Sequence, residues 1–247
     1  MAVKFLNITE TEFLANTRVE KFLSLERALQ LLESKKLWFS NPVTWKDPYE
    51  RRFIEGIYDG GKRFTWLGRV YCMCITPLAT SEASWKAYSN EDFAVKLEFD
   101  RKEYVDILNN AVSQPGIMDV FLGLMDYQQT RKIERPLSKI EFSDNAKLPI
   151  TSKLFKARLL LLKRKAFRYE NEFRAIIVKN KKSDVPGITL DIPDILKLVK
   201  SITIDPNIGD HEYEMISNHL ISRYHFNKNQ IMRSRLYKAT ANPRIKN

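Results

Sequence analysis

Residues Phe167–Val178 read FRYENEFRAIIV: two glutamates one residue apart run straight into an apolar strand. On a β-strand, side chains alternate between faces. Glu170, Glu172 and Arg174 then share one face, while Tyr169, Phe173, Ala175 and Ile177 share the other. Like charges side by side on a strand repel, so paired carboxylates at the mouth of a core strand call for a use. The ordinary alternative is an edge strand on which they pair with Arg174 or Arg168.

Outward from this stretch, the chain alternates short strands and helices. Ser24 caps a helix that runs LERALQLLESKK, with Leu25, Ala28, Leu29 and Leu32 at helical spacing. A strand LWFS (Leu37–Ser40), a turn at Asn41-Pro42 and a loop WKDPYE (Trp45–Glu50) follow. RVYCMCIT (Arg69–Thr76) reads as a buried strand, and SEASWKAYS as a short helix with Trp85 and Tyr88 on one face. FAVKLEFD puts Phe93, Val95, Leu97 and Phe99 on one face of a half-buried strand, and Asp100 caps a helix over Arg101–Val112. The segment from Pro115 to Ile150 has no clear pattern, and Thr151 to Ala166 is expected to be helical. The last third reads as strand GITLDI, helix PDILKLVK, strand SITID, helix EYEMISNHLISRY and strand QIMRSRLY. Mixed elements on short connections, with no linker between halves, predict one α+β domain over residues 1–247.

The 247 residues suffice for a sizeable core, and 44% hydrophobic with 29% charged content is ordinary for a globular protein. No apolar stretch is long enough to span a bilayer and no secretory leader is visible, so a cytoplasmic protein is expected. Cys72 and Cys74 are i, i+2 neighbours on a strand, which disfavours a disulfide, and two thiols alone make no zinc site. His211, His219 and His225 do not share a metal-binding face, so no metal is expected. P-loop, G-x-G-x-x-G, G-x-S-x-G and H-E-x-x-H motifs are absent. The net charge of +11 with a pI near 9.5 favours a polyanionic partner such as nucleic acid, against the alternatives of a solvated surface or an acidic partner protein. Within the expected helix, Lys153, Lys156, Lys163 and Arg164 fall in one arc that could track a phosphate backbone, with Arg158 and Arg168 pointing elsewhere. The stretch Asn227–Asn247 is basic as well.

LWFSNPVTWKDPYE, YCMCIT, SWKAYS, FAVKLEFD and FRYENEFRAIIV occur in an order that resembles a widespread bacterial and prophage domain family of unknown function. That family carries an L-W-F-S strand, an N-D-P-F-E loop, a W-x-x-Y pair, a strand ending in Phe-Asp and W-x-x-E-x-E-[YF]-R. The resemblance spans about Glu20 to Ala239, with Lys46 where the family has Asn and Phe167 where it has Trp. The order of elements is similar to diverged ADP-ribosyltransferase toxins of phage-defence toxin–antitoxin–chaperone systems. It implies an ADP-ribosyltransferase-like fold: a split mixed or antiparallel sheet flanked by helices.

The same resemblance implies NAD as co-substrate without a metal, RNA as the nucleic acid modified, and antitoxin and chaperone proteins as partners. Glu172 falls on the catalytic glutamate, where a fixed carboxylate stabilises the positive charge that develops at the sugar. Glu170 falls on the residue that orients the acceptor. Lys21-Phe22 falls where transferases grip the dinucleotide, Thr76 on a Ser of the middle strand, and Trp85 and Tyr88 on the aromatic pair, which is otherwise core filler. Two alternatives stay open. One is a hydrolase, because same-face strand positions lie about 7 Å apart, a spacing that suits acid/base work on a glycosidic bond. The other is a non-catalytic basic module that binds nucleic acid or an acidic partner.

Overall fold

The run FRAIIVK forms a strand buried on both faces, and the rest of the architecture is arranged around it. The computed structural model describes residues 2–55, 66, 68–77, 82–88 and 93–238. In chain order the elements are β1 (Lys4–Leu6), α1 (Glu10–Leu14), β2 (Arg18–Ser24), α2 (Leu25–Ser34), β3 (Lys36–Ser40), α3 (Pro48–Glu55) and β4 (Val70–Ile75). Next come α4 (Glu82–Tyr88), β5 (Ala94–Asp100), α5 (Arg101–Val112), β6 (Ile117–Leu124), β7 (Asp126–Gln128), α6 (Thr130–Ile133) and α7 (Lys153–Leu159). The last are β8 (Leu162–Arg164), β9 (Phe173–Lys179), β10 (Gly187–Asp191), α8 (Ile195–Leu198), β11 (Val199–Ile204), α9 (Asp210–Tyr224) and β12 (Ile231–Arg233).

Among the described residues the strands make a six-stranded sheet in the order β1-β6-β9-β4-β3-β10, a four-stranded sheet β12-β11-β5-β2, and the pair β7-β8. β1 runs parallel to β6, β12 to β11 and β7 to β8; the remaining pairs are antiparallel. This is an α+β fold of mixed sheets and helices in one domain. β9 is a central strand, not an edge, and its faces serve different cores. Phe173, Ala175 and Ile177 join the larger core with strands of both sheets and α5. Ile176 and Val178 join a second core with Phe155, Leu159, Leu161 and Trp66. Each large apolar side chain so buried contributes about 1.5–3 kcal/mol.

Among the described residues one isolated backbone bridge joins the two larger sheets beside the core they share. Glu20 on β2 and Thr76 after β4 exchange backbone hydrogen bonds of 2.7 and 2.8 Å. Past that bridge the strands diverge, and the Lys21 Nζ donates across the gap to the Cys74 carbonyl at 2.8 Å. The opening between them is the cleft.

Several local expectations need correction. The helix expected over Thr151–Ala166 ends at Leu159; Leu162–Arg164 pairs with β7, and Lys165–Glu170 forms a 3-10 turn. Four consecutive leucines cannot lie on one helical face, and here Leu159, Leu160, Leu161 and Leu162 are all buried. The loop expected over WKDPYE is half helix: Pro48 starts α3 and the Asp47 carboxylate accepts the Tyr49 N–H at 2.9 Å. Within Pro115–Ile150 lie β6, β7 and α6. Glu170 closes the 3-10 turn and Asn171 is left-handed (φ 41°), so strand alternation begins only at Phe173. PDILKLVK contributes one helical turn, Ile195–Leu198, and QIMRSRLY a strand over Ile231–Arg233 alone. The Tyr88 side chain and the tail beyond Lys238 lie outside the described residues.

Candidate active site

Glu172 is held from every side. Its N–H donates to the Tyr127 hydroxyl at 3.0 Å and its carbonyl accepts the Met125 N–H at 3.0 Å, which fixes the backbone at the mouth of β9. Its side chain is 5% exposed. Arg174 Nε donates to Oε1 at 2.9 Å and Lys163 Nζ to Oε2 at 3.0 Å. The Cys74 thiol donates as well. Burial pushes the Glu172 carboxyl up, but the charges of Arg174 and Lys163 outweigh it and hold the group at about 2. Burial and the Glu172 charge push the Cys74 thiol up to about 12, so it stays a donor.

The two cations are shared. Arg174 Nη1 donates to the Leu160 carbonyl at 2.7 Å, Nη2 bonds Glu50, and the guanidinium lies 4.4 Å from the Trp45 ring centroid. Lys163 bonds Glu170 and stands 3.7 Å from Glu50. Burial pushes its ammonium down, and Glu172, Glu50 and Glu170 more than reverse this. Glu50, Glu170 and Glu172 against Lys163 and Arg174 leave three carboxylates on two cations, an excess of one negative charge when all are ionised. Glu170 differs from its neighbour: its side chain is 32% exposed, and burial raises its pKa despite the bond from Lys163.

These groups line a cleft of about 290 Å³. Lys21 and Phe22 on β2 and Thr76 after β4 form its other wall. Burial lowers the Lys21 pKa. The Thr76 hydroxyl bonds the carbonyls of Glu170 (2.9 Å) and Asn171 (3.1 Å), fastening the turn to the end of β4, the strand beside β9 in the same sheet. A second hollow of about 470 Å³ adjoins the cleft at Lys21, Trp45 and Cys74; Arg27, Lys36 and the half-exposed Trp38 line it.

Of the residues singled out in the sequence, Glu170, Glu172, Lys21, Phe22 and Thr76 come together here. Trp85 does not reach the opening. It is 1% exposed and packs edge-on behind Phe22, with ring centroids 5.2 Å apart. The expected basic stripe does not form, because the helix stops before half of it. Lys153 pairs with Asp119 at 2.8 Å and Lys156 lies half-buried near Trp66. Lys163 is buried in the cleft, and Arg164 pairs with Asp47 at 3.1 Å between the rings of Tyr49 and Phe167. Arg158, expected to point elsewhere, pairs with Asp144. Sequence reading missed Glu50, Lys163 as a cleft cation, Trp45 and Tyr127. The signal for the first was its place at the end of WKDPYE. Among the described residues no group of His, Cys, Asp or Glu could hold a metal ion, and no helix is long and apolar enough to cross a membrane.

Residues 84–175 match a family described as "Protein of unknown function (DUF2971)". The matched stretch takes in Lys163, Glu170, Glu172 and Arg174, and does not include Lys21, Glu50 or Thr76. No curated protein and no solved structure matches the chain.

Proposed function

We propose that the chain is an NAD-dependent ADP-ribosyltransferase with an ADP-ribosyltransferase-like split-sheet fold, acting on nucleic acid, in particular RNA. One observation carries the reading. Two carboxylates meet on the same lysine in different settings: Glu172 is buried with a cation on each oxygen, which lowers its pKa, whereas Glu170 is partly exposed with a raised pKa. Neighbouring groups forced apart in this way divide acid/base and electrostatic roles. The positions that the family resemblance assigns to dinucleotide and catalysis, Lys21, Thr76 and Glu172, line one cleft although they come from three distant segments.

The residues present fit the dinucleotide. The cleft takes the nicotinamide riboside end, and the adjoining hollow offers Arg27 and Lys36 to a diphosphate and the Trp38 ring to an adenine. NAD supplies the ADP-ribosyl group and a leaving nicotinamide that departs with the electron pair of the glycosidic bond. Glu172 faces the positive charge that then develops at the sugar. Its own charge does not titrate away at any pH near neutrality, and it sits where water does not screen it. Glu170, with its raised pKa and partial exposure, receives the proton of the acceptor group as the new bond to the sugar forms, and returns it to solvent.

The net charge of +11 supports a polyanionic acceptor. The resemblance to toxins of phage-defence systems supports a cytoplasmic effector restrained by antitoxin and chaperone proteins. The test uses NAD labelled in its adenylate half, with and without RNA. Label is expected on the RNA and to fall roughly 10²–10³-fold in Glu172→Gln, the loss typical of removing one electrostatic stabiliser. Consumption of NAD at a rate indifferent to RNA, with no label transferred, would make the protein a glycosidic hydrolase instead.

A further inference from the structure

The turn Lys165–Glu170 has two sides. Tyr169 and Glu170 go to the cleft, whereas Lys165 and Arg168 go, with Asn171, to a second open groove of about 930 Å³. Arg131 and Lys132 of α6 line that groove too. All four cations are exposed, and none makes an ion pair among the described residues. The carboxylate in the groove, Asp126, is buried, accepts hydrogen bonds from Gln128 and Ser143, and forms no ion pair with these four among the described residues. The groove also reaches the catalytic strand, since Tyr127 lines it and receives the Glu172 N–H.

We propose that this groove is the track for a single-stranded nucleic acid, which lies along it by its phosphates and presents its reactive group over the turn to Glu170. The inference rests on the transferase reading of the cleft and names where its acceptor docks. Cations without ion-pair partners on two walls of one groove suit a phosphodiester backbone, and each neutralised phosphate releases counterions. Tyr169, 53% exposed with its ring 6.4 Å from that of Phe167, offers a stacking face at the cleft mouth. An acidic protein partner would want an apolar centre, and the apolar residues here are turned in: Met125 is buried and Leu124 half-buried.

The experiment measures binding of a fluorescent single-stranded RNA 20-mer across a salt series, with no NAD present. Lys165→Gln/Arg168→Gln is compared with Lys153→Gln/Lys156→Gln, which removes the same charge from α7. The first pair is expected to weaken binding roughly tenfold and to lower the salt slope by about 1.4, at about 0.7 per phosphate for single strands. The second pair is expected to bind like wild type. A parallel variant, Arg131→Gln/Lys132→Gln, should repeat the first result from the other wall. Equal losses in the α7 pair, unchanged binding in both groove pairs, or displacement of the strand by polyglutamate at equal charge would each overturn the proposal. The two readings fail separately. Groove-dependent RNA binding without any transfer from NAD sinks the reaction and leaves the groove; transfer that survives in full in both groove pairs sinks the groove alone.

Discussion

Glu172 keeps its charge because Arg174 and Lys163 reach both of its oxygens, and those cations are in turn claimed by Glu50 and Glu170. The amide in Glu172→Gln is isosteric, yet it leaves buried cations short of an anion. Breaking one side of a buried ion network costs about 3–5 kcal/mol, so this variant is expected to melt lower as well as to lose activity. The pH dependence has a definite sign. A carboxyl at about 2 in the folded protein against 4.5 ordinarily adds stability that is fully present above 4.5 and lost as pH falls toward 2. That difference corresponds to about 3 kcal/mol. The stability gap between wild type and Glu172→Gln, measured by denaturant titration, should therefore shrink below pH 4.5; a gap flat from pH 7 to 3 would mean the carboxylate is not held by its cations.

At the scale of elements, the single turn between β8 and β9 does most of the positioning. It carries Glu170, then the left-handed Asn171, then Glu172, and Thr76 fastens it to the end of the neighbouring strand β4. The left-handed region costs an ordinary residue about 1–2 kcal/mol and glycine nothing. Asn171→Gly is expected to keep both stability and RNA labelling. Asn171→Val should lose about that much stability and most labelling, and full labelling by a folded Val variant would show that the turn does not place the carboxylates. Elements with local signals were readable in the sequence. The Asp100 cap and α5 coincide with the residues read, as do the Ser24 cap and the alternation of β5. β8 reads as helix in the sequence because its strand character comes from pairing with β7, 36 residues earlier in register (Asp126 opposite Leu162), and no local pattern reports that. The same reading puts Lys163 on a solvent-facing stripe instead of in the cleft.

For the molecule as a whole, the site exists because the two larger sheets are bridged at Glu20–Thr76 and their strands diverge beyond it. Its walls come from β2, α3, β4, α4, β8, β9 and the turn before β9. The paired glutamates could be found in the sequence because they are neighbours there. Glu50 and Arg174 could not be joined from sequence, since 124 positions separate them and only the fold brings them into contact. On the proposed reading the cleft divides its labour: Glu172 supports loss of nicotinamide, and Glu170 serves the acceptor. The measurement that tests it follows nicotinamide release and RNA labelling in one reaction, for wild type and Glu170→Gln. Glu170 is partly exposed, so its amide variant should fold. Nicotinamide release within a few fold of wild type, with labelling of RNA reduced at least about 10²-fold, the scale of one lost acid/base group, is the expected result; equal loss of both, or labelling undiminished, would contradict it.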